Sequence, residues 1–158
     1  MANALSTAGM LVKYCVEPSS GTFPTVNFTT IPGCKALPAV FNDPNTLDST
    51  PLSAEKNKTY ISGLNDSGGA ITITVNDYPA FRTAWTACVS AYTTAKAADK
   101  GMWFEFYYPD SNMDSFYFPG EPLALGFGGA DVDSVLENNA NILPTGDYKF
   151  AAASTTSA

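Results

Sequence analysis

Residues 69–77 read Gly69-Ala70-Ile71-Thr72-Ile73-Thr74-Val75-Asn76-Asp77, and their alternation decides the fold class. Ile71, Ile73 and Val75 fall on one side of an extended chain, while Ala70, Thr72, Thr74 and Asn76 fall on the other. That period of two is the mark of a strand with one buried face. A helix is predicted immediately downstream. Asp77 is placed to cap it and Pro79 to sit in its first turn. Phe81, Trp85, Cys88, Val89 and Tyr92 follow the 3.6-residue period, a stripe expected to pack into the core. Lys96 and Lys100 complement the dipole near its end, and Gly101 is expected to stop it.

Working outward, the same period of two recurs. Gly9 to Glu17 forms an opening strand that the Pro/Ser/Gly stretch from Pro18 to Pro24 ends. Phe28 to Leu37 forms a strand interrupted by Pro32-Gly33, hence bulged or at an edge. After Gly101, Met102, Phe104, Phe106 and Tyr108 share a face opposite Trp103, Glu105 and Tyr107. Pro109 to Asp114 turns, and Ser115 to Phe118 returns as partner. Further strands are predicted at Leu123–Phe127, at Ala130–Glu137 and at Tyr148–Phe150. The sum is a mainly β domain, a β-sandwich or open barrel with one flanking α-helix. It spans residues 1–150, with 151–158 as a flexible tail.

Residues 42–68 break the pattern. Asp43-Pro44-Asn45, Pro51, Asn57, Asn65-Asp66 and Ser67-Gly68 form turns, and large apolar residues are few. A connection this long in a domain of 158 residues is functional or disordered. Its anchors Leu47, Leu52, Tyr60, Ile61 and Leu64, with Asp66, are too sparse to form a private core. They are the expected contact residues of a loop that docks on another subunit.

Composition excludes several classes. The chain carries eight basic against fifteen acidic residues and a net charge of −7, the opposite of a sequence-independent grip on nucleic acid. No apolar run approaches a membrane span. Met1 to Met10 has no basic residue and no long apolar core, so a cytoplasmic site of synthesis is expected. Cys15, Cys34 and Cys88 have no metal-ligand spacing and read as small apolar residues. There is no histidine, which removes the commonest general base, the usual Ser and Cys triads and most zinc sites. Paired carboxylates at Asp131, Asp133 and Glu137 are the remaining catalytic option. On one strand they share a face, a spacing that is equally that of an ordinary solvated face. Asp131-Val132-Asp133 lacks the third acid and glycine of a calcium loop. Gly126-Phe127-Gly128-Gly129 lacks the GK[ST] of a phosphate loop. No enzyme, cofactor or metal is expected.

Thr50-Pro51-Leu52 leads into Tyr60-Ile61-Ser62-Gly63-Leu64-Asn65-Asp66-Ser67-Gly68-Gly69 and straight into the Ile71/Ile73/Val75 strand. This run resembles the major tail tube proteins of long, non-contractile-tailed phages, with their Thr-x-Leu and a Tyr-Ile-x-Gly-Leu-x-Asp-x-Gly-like stretch before a strand. Gly9 to Tyr14 resembles that family's opening strand and Ile31-Pro32-Gly33 its bulge, and the helix falls where the family has its single one. The likeness covers residues 5–150 and omits the C-terminal immunoglobulin-like decoration domain of many relatives.

The resemblance implies a virion structural protein of the tail, made in the host bacterial cytoplasm. Its hexameric rings would lend strands to a shared inner barrel and stack into a polymer. Its partners would be itself, a tape measure protein, tail terminator and tail tip proteins, with DNA only passing through the lumen during genome ejection and no membrane. Shared strands would remove edge-strand hazards, and acids such as Asp131, Asp133 and Glu137 on the lumen would keep phosphates from sticking. The alternative is a monomeric β-sandwich binding or decoration module. Trp103, Tyr107 and Tyr117 would then form an exposed platform instead of packing between subunits.

Overall fold

The computed structural model of the chain describes residues 5–6, 8–41, 45–53, 55–64, 69–110 and 112–154. Strand β1 (Leu11–Val16) is followed by β2 (Thr29–Ile31) and β3 (Cys34–Ala36), then by β4 (Thr46–Asp48) and β5 (Tyr60–Ser62). Strand β6 (Ile71–Asn76) precedes the helix α1 (Pro79–Ala97). Strands β7 (Met102–Tyr107), β8 (Ser115–Pro122), β9 (Glu137–Pro144) and β10 (Lys149–Ala151) complete the chain. All pairings are antiparallel, and the main sheet runs β2-β1-β7-β8-β9-β6-β3, with β10 continuing β9 along β8.

The two ends of that sheet are one piece of chain. Only Pro32-Gly33 separates β2 from β3, so the sheet must curl until its ends nearly meet, giving an open barrel. Gly33 makes the corner with φ of +84°, where a Cβ would lie 2.7 Å from the Tyr78 ring, and its carbonyl accepts from the Asn76 N–H at 2.8 Å. Only glycine fits such a site without strain. The β8–β9 line is built differently. Pro119, Pro122 and Pro144 lie along it and bring no N–H to the ladder.

The buried stripe of α1, Phe81, Trp85 and Cys88, closes one face over Val12, Ile71, Ile73, Val75, Met102, Phe104, Phe118 and Ile142. Each large side chain buried there contributes roughly 1.5–3 kcal/mol. The helix caps differ from expectation. Its N-cap is Tyr78 without a side-chain bond, because the Asp77 carboxylate is taken up by Arg82. It ends at Ala97 rather than at Gly101, with Asp99 adopting φ of +59°.

The second face of the β1/β7/β8 region is covered too, which overturns the expected aromatic platform. Register aligns Lys13, Glu105, Tyr117 and Lys149 across four strands. Phe23, from the Pro18–Phe28 stretch, packs edge-on to Trp103 at 4.8 Å and to Tyr117 at 5.0 Å, and Phe28 packs on Tyr117. Tyr117 is therefore only 1% exposed, and Trp103 and Tyr107 are half-buried. Tyr117 thus packs wholly within the chain, and Trp103 and Tyr107 pack there in part, under Phe23 and Lys13 respectively.

The expected flexible tail from Ala151 is likewise corrected. Ala151 belongs to β10, and Ser154 is buried against Glu105; residues 155–158 lie outside the described residues.

The expected strands at Leu123–Phe127 and Ala130–Glu137 are irregular chain, and β9 begins where the second was expected to end. Asp131, Asp133 and Glu137 thus do not share a strand face. Asp133 sits in a turn with φ of +60°, while Glu137 opens β9 and pairs with Lys35.

Candidate functional site

Three surfaces stand out among the described residues. The first is the segment between β3 and β6, where the long loop of the sequence contains a hairpin. Leu47 faces Ile61 across β4 and β5, Thr46 faces Ser62 and Asp48 faces Tyr60. Bonds from Ser49 N–H to the Thr59 carbonyl and from Gly63 N–H to the Asn45 carbonyl extend the ladder. Thr50 Oγ1 accepts from the Thr59 N–H at 2.9 Å. The Asp48 carboxyl is held below its usual range by hydrogen bonds from Thr50.

Among the described residues this hairpin joins no other strand, and all six of its strand residues are exposed. Leu52 and Leu64 are exposed as well, the former completely. Of the expected contact residues, the hairpin brings Leu47, Tyr60 and Ile61 together on two short strands. Asp66 lies outside the described residues. The sequence contained the signal in the alternation around Tyr60-Ile61-Ser62, but the strands are too short to stand out from turn formers.

The second surface is the outward face of β6 and β9. Thr72, Thr74 and Asn76 pair with Asn141, Asn139 and Glu137, and Glu121 joins the row opposite Leu143. Thr72 Oγ1 donates to Asn141 Oδ1 at 2.8 Å. The face is mostly hydroxyl and amide; of its two acids, Glu137 pairs with Lys35 and Glu121 lies opposite Leu143. Such a wall is hydrated yet offers no cluster of cations for phosphate.

The third is a groove of about 600 Å³ along α1, lined by Trp85, Val89, Leu125 and Phe127 among others. The Trp85 indole N–H donates to the Leu123 carbonyl at 2.8 Å, and Asn138 Nδ2 donates to the Gly126 carbonyl at 2.8 Å. Asn138 also approaches Asp77 Oδ2 at 3.5 Å, and Arg82 grips the same carboxylate through Nε at 2.5 Å and Nη2 at 2.8 Å.

No nucleophile–base pair converges at any of these surfaces. Burial pushes the thiols of Cys15, Cys34 and Cys88 up, and none lies beside a base or cation in its described contacts.

No protein-family model and no curated protein sequence matches the chain. Solved structures do match by fold. A chain of the six-fold symmetrised anti-feeding prophage baseplate superposes with a TM-score of 0.61 at 10% identity, covering 96% of this chain and 98% of its own. A chain of the native gene transfer agent virion gives 0.59 at 15% identity, covering 94% and 100%. A chain of the anti-feeding prophage cap, which terminates that particle's tube, gives 0.56 at 11% identity, covering 97% and 94%. The open barrel with one helix is thus a fold used in phage-tail-related particles, matched over nearly the full length on both sides.

Proposed function

We propose that this chain is a structural subunit of a phage-type tail, polymerising as hexameric rings that stack into a tube for DNA. The observation that carries the reading is the β4–β5 hairpin, a two-stranded element that pairs with no other strand among the described residues, on a fold shared with such particles. An isolated hairpin is marginal in water, and ordering each of its residues costs roughly 1–2 kcal/mol. Burial against a neighbouring ring offsets that cost and turns the hairpin into a stacking contact.

In this reading the Thr/Asn face of β6 and β9 lines the conduit, with Glu137 and Glu121 supplying its acids. Asp131 and Asp133 sit off that row. A tape measure protein occupies the lumen during assembly, terminator and tip proteins close the ends, and the tube reaches the host as part of the virion.

A second reading, a single terminating or baseplate ring, is favoured by the likeness to a tube-terminating cap and to a baseplate chain. Light scattering with negative-stain microscopy at rising protein concentration separates the two. Tubes support the stacked polymer, rings that never stack support the second reading, and persistent monomers overturn both.

A further inference from the structure

The groove along α1 has a wall that is fixed but faces outward. Residues 123–128 have no regular structure, yet their backbone is tied to Trp85 at Leu123 and to Asn138 at Gly126. Gly128 is pressed so close to β9 that a Cβ would lie 2.4 Å from the Glu137 carbonyl oxygen. Between these ties Phe127 stands 77% exposed. With its backbone tied on both sides, the ring stands at the outer rim of the groove, where another molecule can cover it.

Charge says which molecule. Asp131 and Asp133 follow directly after the groove wall, and among the described residues neither makes an ion pair. Of the cations outside the β4–β5 connection, Lys96 and Lys100 lie at the end of α1 without an ion pair among the described residues, and the remaining four are engaged. Lys35 pairs with Glu137, Arg82 with Asp77, Lys149 lies on the Phe23 ring, and Lys13 is buried against Tyr107. Lys56 and Lys58, with Glu55 beside them, stand exposed in the connection between β4 and β5, an element whose apolar pair, Leu47 and Ile61, has no cover among the described residues.

We infer that the groove of one copy receives the β4–β5 hairpin of a second copy, with Leu47 and Ile61 seated against Phe127 and Leu125. Lys56 and Lys58 then meet Asp131 and Asp133. The contact joins two different patches, so it is head-to-tail and propagates instead of closing at a dimer. It rests on the polymer reading above and assigns that polymer its receptor.

The test mixes two full-length proteins, Ile61→Cys and Phe127→Cys, each with Cys15→Ser and Cys34→Ser, under mild oxidation. Covalent dimers should form in the mixture and in neither protein alone. With the native cysteines kept, Lys56→Glu plus Lys58→Glu should slow elongation at least tenfold, and adding Asp131→Lys plus Asp133→Lys should restore it. Tubes that form without the mixed disulfide, and whose charge reversal is not rescued, overturn the groove as receptor while leaving the tube standing. Monomers at every concentration overturn both.

Discussion

Ser154 donates its backbone N–H to Glu105 Oε2 at 3.0 Å and its hydroxyl to Oε1 of the same carboxylate. Glu105 is wholly buried at the centre of β7, and the Tyr117 hydroxyl nearby donates to the Ala152 carbonyl at 2.6 Å. Burial, reinforced by the Glu105 carboxylate, pushes that hydroxyl up from its ordinary pKa. Residues 152–154 are therefore a strap over a buried acid. Bonds to a charged acceptor contribute roughly 1.5–3 kcal/mol each. Removing everything after Ala151 should cost about 3 kcal/mol, read as a fall in the urea midpoint. An unchanged midpoint would show the strap to be idle.

Asp77 supplies a pH dependence. Hydrogen bonds from Arg82 hold its carboxyl below the usual carboxylate range, with burial opposing. A depressed folded pKa gives stability that is present above the unfolded value, about 3.9, and is lost as pH falls through the folded one. Between pH 4 and pH 2 the unmodified protein should lose more stability than Asp77→Asn does, by chemical denaturation at each pH. Parallel curves would remove Asp77 from the acid transition.

Thiol chemistry should report the core. Burial pushes the Cys34 thiol up to about 11, so at pH 8 only about one thiol in a thousand is ionised. Iodoacetamide labelling of Cys34 in the folded protein should rise about tenfold per pH unit from pH 8 to 10. Cys88, more deeply buried, should stay unlabelled. Peptide mass spectrometry resolves the sites, and labelling of Cys34 at the rate of a free cysteine would contradict its burial.

The hairpin can be removed cleanly because no other strand pairs with it. Replacing residues 46–62 with a short Gly/Ser linker should change folding stability by no more than about 0.5 kcal/mol. It should also abolish elongation in light scattering. Long tubes from this variant would end the stacking role.

The strongly alternating strands were legible, and Ile71, Ile73 and Val75 are buried as their pattern demands. So was the helix stripe, because a 3.6-residue repeat of aromatics has few other readings. What misled was local pattern overruled by tertiary ties. Leu123, Leu125 and Phe127 alternate like a strand, but the Trp85 indole takes the Leu123 carbonyl and the Asn138 amide takes that of Gly126. Glu137–Pro144 is a true strand rich in asparagine, a residue of low β propensity, and its pairing with β6 and β8 makes it one. The groove was illegible because Phe127 reads as core until its neighbours are seen to pin it outward. The buried Glu105 looked like the polar side of an amphipathic strand, since the covering Phe23, Phe28 and Ser154 lie far away in sequence.

The proline-bearing β8–β9 line has a mechanical consequence. At its other margin the barrel is held by covalent chain through Pro32-Gly33, which can bend but not part. Along Pro119, Pro122 and Pro144 it is held by a thinned set of backbone bonds. Flexing should concentrate there, and faster amide exchange at Leu143 than at Ala140 would reveal it. One wall behaves as a hinge pin and the other as a leaf, so the barrel should open and close about the Pro32-Gly33 corner.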